Sequence, residues 1–95
     1  MAAYLFAEIN VHNPQGYEEY RSLVGPSLQK YNGKFLVRGG KVETIEGTWS
    51  PKRVVICEFE SLAKAHEWYD SPEYARAKEV ALKNATRNVI FLEGV

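Results

Sequence analysis

Arg53-Val54-Val55-Ile56-Cys57-Glu58-Phe59 is the stretch that decides the fold. Its β-branched run, Val54 to Ile56, favours a strand, because branched side chains fit a pleated, half-buried surface better than a helical turn. At a period of two, Val55, Cys57 and Phe59 face one way, and Val54, Ile56 and Glu58 the other. Both sides of the strand are therefore largely apolar, whereas a sheet with one wet face alternates apolar and polar residues. The segment belongs in a sheet that must be covered twice.

Working outward, Tyr4 to Val11 repeats the pattern. Leu5, Ala7, Ile9 and Val11 share one face; Tyr4 and Phe6 share the other before it turns polar at Glu8 and Asn10. Lys34 to Glu46 reads as a long, bent strand, with Phe35 and Val37 opposite Leu36 and Arg38 and a bulge at Gly39-Gly40. With Gly47 to Pro51 as a turn, this strand and 53–59 form a hairpin that sets Glu46 near Arg53 and Lys41 near Glu58. Asn88 to Glu93 is the last strand, Val89 and Phe91 opposing Ile90 and Leu92.

Helical signals fill the gaps. Asn13-Pro14 caps and starts a helix that aligns Tyr17, Tyr20, Val24, Leu28 and Tyr31. Gly25-Pro26 predicts a kink or a split into two short helices, and Asn32-Gly33 ends the element, with Gly33 free to take a positive φ. Ser61 caps a second helix carrying Leu62, Ala65, His66 and Tyr69 on one side. Ser71-Pro72-Glu73 starts a further helix with Tyr74, Ala77, Lys78, Ala81 and Ala85 at helical spacing.

The order βαββαβ, with right-handed crossovers, predicts an α+β, ferredoxin-like domain over residues 1–95: a four-stranded antiparallel sheet with its helices on one face. The first and third strands are expected as parallel neighbours. The helices can cover Leu5, Ala7, Ile9, Val55, Cys57 and Phe59. They cannot also cover Tyr4, Phe6, Val54, Ile56, Val89 and Phe91, and a contiguous apolar patch of that size marks a partner. A second copy about a two-fold axis is the simplest cover, so a homodimer is expected. Ninety-five residues also bury only about 60% of the unfolded surface, which makes association a natural supplement.

Twelve basic and twelve acidic residues give a net charge of zero, which disfavours nucleic-acid binding. The βαββαβ order is shared with an RNA-recognition module, but the aliphatic third strand cannot stack bases and Glu58 would repel phosphate. No apolar run is long enough to span a membrane. The opening Met-Ala-Ala-Tyr lacks the features of a signal peptide. One cysteine suits a reducing compartment, and a cytoplasmic location is expected.

The assembled residues resemble a family of small bacterial proteins known as domain of unknown function 1330. The carriers are Tyr4-Leu5-Phe6-Ala7-Glu8-Ile9, Asn13-Pro14 with Tyr17 and Tyr20, Tyr31 to Gly40, Glu46-Gly47-Thr48-Trp49, Glu58-Phe59, Trp68 to Tyr74 and Leu92-Glu93-Gly94-Val95. The resemblance covers essentially the whole chain and implies a dimeric α+β barrel made from two ferredoxin-like sheets. It implies no reaction. The wider superfamily mixes cofactor-free monooxygenases, isomerases, stress-response proteins and regulators. Asn13 stands where the family pattern has aspartate, and it caps equally well.

Three groups could carry chemistry. Glu8, Glu58 and Arg38 are expected together on the dimer face, where paired carboxylates near a guanidinium could split their pKa values for acid–base work; an ion-pair network fixing register is the alternative. Tyr17, Tyr20, Tyr31, Trp68, Tyr69 and Tyr74 could line a helix–sheet pocket for a planar ligand, or simply pack a core. His66 could act as an acid or base but has no partner group in sight. Cys57 is expected to be inert and Arg38-Gly39-Gly40-Lys41 to be no phosphate loop. No metal cluster is visible and no cofactor is expected. The resulting expectation is binding of a small apolar or aromatic ligand, with a cofactor-independent monooxygenase- or isomerase-like enzyme, acting on a small aromatic or carbonyl compound, as the alternative.

Overall fold

In a computed structural model that describes residues 1–95, the strands and helices alternate as expected. They are β1 (Ala3–Val11), α1 (Pro14–Lys30), β2 (Lys34–Arg38), β3 (Val54–Phe59), α2 (Leu62–Tyr69), α3 (Pro72–Asn84) and β4 (Ala85–Glu93). The sheet order is β2-β3-β1-β4, the ferredoxin-like arrangement. Every neighbouring pair is antiparallel, including β1 with β3, so the expected parallel pairing of those two is wrong. The crossover makes β1 parallel to β2, and β3, returning from β2, must then oppose both.

All three helices lie on one sheet face. Leu5, Ala7, Ile9, Val55, Cys57 and Phe59 are buried there beneath Tyr17, Val24, Leu28, Ala65, Trp68, Tyr74, Ala77 and Ala81. Each helix begins where a side-chain oxygen accepts a free first-turn N–H: Asn13 from Gly16, Ser61 from Lys64 and Ser71 from Tyr74. The predicted kink at Gly25-Pro26 does not split α1, which runs on for 17 residues. Val24, Ser27 and Leu28 are buried on both sides of the proline, and that packing outweighs the one ladder bond Pro26 cannot donate. At the end of α1 the positive φ falls on Asn32 (59°), not Gly33. Gly33 is needed for space: a Cβ there would lie 2.8 Å from the Leu28 side chain and the Phe59 ring.

Two strand readings need correction. β2 stops at Arg38 rather than Glu46, and residues 39–53 form a loop. Gly39, at φ 73°, turns the chain just after its N–H bonds the Val54 carbonyl. The loop lies against the sheet's uncovered face, with the Trp49 ring 6.1 Å from that of Phe6 and Nε1 donating to Glu8 Oε2 at 3.1 Å. Lys34, not Lys41, therefore meets Glu58, at 3.2 Å. The bulge sits at Leu36, between Phe35 (opposite Cys57) and Val37 (opposite Ile56). It turns Phe35 and Arg38 toward the helices and Val37 away.

β4 is shifted in phase. It starts immediately after Asn84, pairing Ala85 with Val11, Arg87 with Ile9, Val89 with Ala7 and Phe91 with Leu5. Val89 and Phe91 thus belong to the helix face, and Ile90 and Leu92 to the open face. The open face remains apolar, with Ile90 52% and Leu92 47% exposed beside Phe6, Ile56 and Val37.

Candidate functional site

Between the helices and the sheet runs a narrow slot with a cavity volume of about 30 Å³, room for a water molecule or two, open to solvent at its mouth. Its floor comes from β1, β3 and β4 (Ile9, Val55, Val89) and its roof from α1 (Tyr17, Tyr20), α2 (Trp68, Tyr69) and α3 (Tyr74). One end is aromatic: Trp68 stacks 4.0 Å from Tyr74 and 5.5 Å from Phe59, and its indole N–H is held by Ser27 Oγ at 3.1 Å.

The other end is polar. Tyr20 and Tyr74 hydroxyls lie 3.1 Å apart, and Arg87 donates to both, at 3.2 and 3.3 Å. Burial pushes the Tyr20 phenol well above its ordinary range, and the neighbouring Tyr74 adds to the shift. Burial opposes the charge on Arg87, but the two tyrosine oxygens more than offset it and keep the guanidinium protonated. The Tyr17 hydroxyl is buried beside the Arg87 guanidinium, which lies outside good hydrogen-bond geometry, and has no other partner. Its burial raises its pKa, and Arg87 nearby pulls it only part of the way back. The slot therefore presents the neutral Tyr17 and Tyr20 phenols and fixed cations as donors.

Of the aromatic residues read from sequence, Tyr17, Tyr20, Trp68, Tyr69 and Tyr74 meet at the slot. Tyr31 does not; its hydroxyl is tied to Glu73 Oε1 at 2.9 Å outside it. The Glu8–Glu58–Arg38 constellation is not assembled. Glu8 lies opposite Val54 and Glu58 opposite Tyr4, four residues apart along antiparallel strands, or roughly 14 Å at ~3.4 Å per residue. Glu8 accepts from Trp49 and from Asn88 Nδ2, while Glu58 pairs with Lys34. The Leu36 bulge sends Arg38 to the opposite face, where it lines the slot and stacks 4.2 Å over Phe35. His66 is exposed, edge-on to Phe91 at 5.0 Å, in a shallow cleft with Tyr69 and Val89. Cys57 lies on the slot floor; burial pushes its thiol up to about 12, against a smaller opposing pull from Arg38.

Sequence reasoning missed Arg53 and Arg87. Both were legible at period two, as the first inward members of Arg53-Val55-Cys57-Phe59 and Arg87-Val89-Phe91. Starting the last strand at Asn88 hid the second, and the supposed hairpin gave Arg53 a false partner in Glu46. No group of three or more His, Cys, Asp or Glu side chains is placed to hold a metal ion, and no helix is long and apolar enough to cross a membrane.

The topology and the helix–sheet slot define a ferredoxin-like α+β protein. The chain belongs to the family described as domain of unknown function 1330, whose model matches residues 2–95. Its structure is similar to that of a protein of unknown function from Rhodopseudomonas palustris, with TM-score 0.77 and 19% identity over 99% of this chain and 82% of that one. A dimeric ferredoxin-like protein of unknown function from Jannaschia sp. CCS1 gives TM-score 0.75 and 15% identity, over 99% and 100% of the two chains. SnoaB, a cofactor-independent oxygenase from Streptomyces nogalater, gives 0.67 and 10%, over 99% and 93%. At these identities the likeness establishes the fold alone. No curated protein matches the sequence.

Proposed function

We propose that the protein is a cytoplasmic homodimer, joined sheet to sheet, in which each subunit binds a small molecule with an apolar or aromatic body in the helix–sheet slot, whose aromatic roof must part to admit it. The observation that carries the binding reading is the Tyr17 hydroxyl, buried at the slot with only the poorly aligned Arg87 guanidinium beside it. A buried donor left unbonded costs about 1–3 kcal/mol, which a ligand oxygen would relieve. The dimer rests on the uncovered face, where Ile90, Leu92 and Val37 are exposed together, and on the dimeric relatives of the same fold. The buried free thiol of Cys57 suits a reducing compartment. Glu8 and Glu58 then belong to the dimer face and Arg38 to the ligand, while His66 borders a separate cleft.

A thermal-shift panel of small aromatic and branched aliphatic compounds tests the binding reading. Binders should raise the melting temperature, and Tyr17→Phe should weaken the shift. A panel in which nothing moves the transition would leave the slot as mere core packing.

The Tyr20–Tyr74–Arg87 cluster favours one second reading, a cofactor-independent enzyme acting on a small aromatic or carbonyl compound. Two phenol hydroxyls beside a fixed cation could stabilise negative charge developing on a substrate oxygen. Conversion of any panel binder, lost in Tyr74→Phe while binding persists, would select this reading. Binding without conversion by any compound would remove it.

A further inference from the structure

We infer that the slot's ligand is an organic anion, an apolar body carrying a carboxylate that docks on Arg38, Arg53 and Arg87. The inference rests on the slot being a binding site and names the class of molecule it takes.

Strand register brings these three lining residues to one end of the slot. Arg87 is the cross-strand partner of Ile9 on one side, and on the other the Arg53 carbonyl accepts the Ile9 N–H at 2.9 Å. Arg53, just ahead of β3, Ile9 of β1 and Arg87 of β4 therefore form one lateral row, with the two arginines about 10 Å apart at their Cα atoms, two strand spacings. Arg38, brought to this face by the Leu36 bulge, is opposite Val55, two residues from Arg53. The slot is thus cationic at this end and aromatic at the Trp68 end.

Nothing in the chain neutralises that end. No acidic residue lines the slot. The ion pairs of the chain use Arg21, Arg76 and lysines, and none of them involves Arg38, Arg53 or Arg87. Arg53 Nε and Arg87 Nε are buried without a hydrogen-bond partner. Arg38 spends one N–H on the Arg21 carbonyl, at 3.3 Å, and Arg87 two on phenols. The tyrosines cannot serve as counter-ions, since burial holds the Tyr17 and Tyr20 phenols protonated. Arg53 and Arg87 are partly buried without a counter-ion, which is costly in a chain whose net charge is zero and which has carboxylates to spare, while Arg38 is exposed at the mouth. The planar fork of guanidinium matches a carboxylate's two oxygens. A neutral ligand would leave Arg53 and Arg87 as they are.

Calorimetric titration of three acids of graded size, acetate, isovalerate and phenylacetate, against their amides tests the inference at low salt. At least one acid should bind roughly ten-fold more tightly than its amide, a difference expected of charge-assisted hydrogen bonds. Arg53→Gln and Arg38→Gln should each remove most of that preference, and Arg76→Gln, outside the slot, should not. Arg38 is the more exposed, so its variant carries the test if Arg53→Gln fails to fold. An amide binding as well as its acid would overturn the anion inference and leave the slot a binding site. So would acid binding indifferent to both arginine variants. If neither acids nor amides bind at millimolar concentration and the wider panel also fails, the binding reading itself falls.

Discussion

The two faces of this sheet are built from the same four strands and meet different fates. The inner face pairs aliphatic strand residues with a three-helix roof, and Leu5, Cys57 and Phe59 are each at most 5% exposed. The outer face has no helix. Only the 39–53 loop reaches it, where Trp49 lies over Phe6 and hydrogen-bonds Glu8, and Ile90 and Leu92 remain about half exposed. The inner face is also where polar chemistry is confined: a phenol and two guanidinium nitrogens are buried there without partners. The outer carboxylates, by contrast, are already engaged by Trp49, Asn88, Lys34 and Tyr4. One side is finished as a core but unfinished as an electrostatic site; the other is electrostatically settled but unfinished as a core. Apolar excess calls for a flat macromolecular cover, and unpaired donors in a slot call for a small molecule.

Three changes separate the faces. The largest effect is expected from Trp68→Ala, which removes the side chain packed on Phe59 and Tyr74 and strands Ser27 beneath it. It should cost about 3–5 kcal/mol in urea denaturation; a loss below about 1 kcal/mol would mean that the inner face is not the principal core. Ile90→Asp on the outer face should do the reverse. Its fold and inner packing should persist, with less than about 0.5 kcal/mol change within the subunit, while sedimentation shifts from dimer to single-chain mass. An unchanged dimer would move the interface elsewhere. The third effect concerns pH. The folded pKa of Cys57, about 12, lies above its ordinary 9.0, so the unfolded chain loses that proton first. The stability linked to the neutral thiol is complete below pH 9 and is lost as pH rises toward 12, with Tyr17 and Tyr20 adding to the same decline from pH 10 upward. Melting temperature should fall across that window, and Cys57→Ala should flatten its lower part. A melting curve unchanged from pH 8 to 11 would show these groups to be solvated.

Much of this was legible beforehand, and the errors share a cause. The period-two runs in β1 and β3 located the strands, and Asn13, Ser61 and Ser71 located the helix starts, because these are local signals carried by adjacent side chains. The phase of β4 and the inward turn of Arg38 were not. A one-residue slip reverses every side chain on a strand, and each slip was set by something nonlocal: the direct join of α3 to β4, and a bulge forced by pairing with β3. The candidate site suffered accordingly, since Glu8, Glu58 and Arg38 share a face only if the phase of β2 is misread and share an end only if β1 and β3 run parallel.

By itself, then, the sequence determined the elements, the ferredoxin-like order and the need to cover two apolar sheet faces, because hydrophobic period and capping residues act within a few positions. Only the tertiary structure decided which side chains face the slot. Register, bulge and loop path are set by contacts between residues far apart in the chain, and those contacts bring Arg38, Arg53 and Arg87 to one end of it with no carboxylate among them.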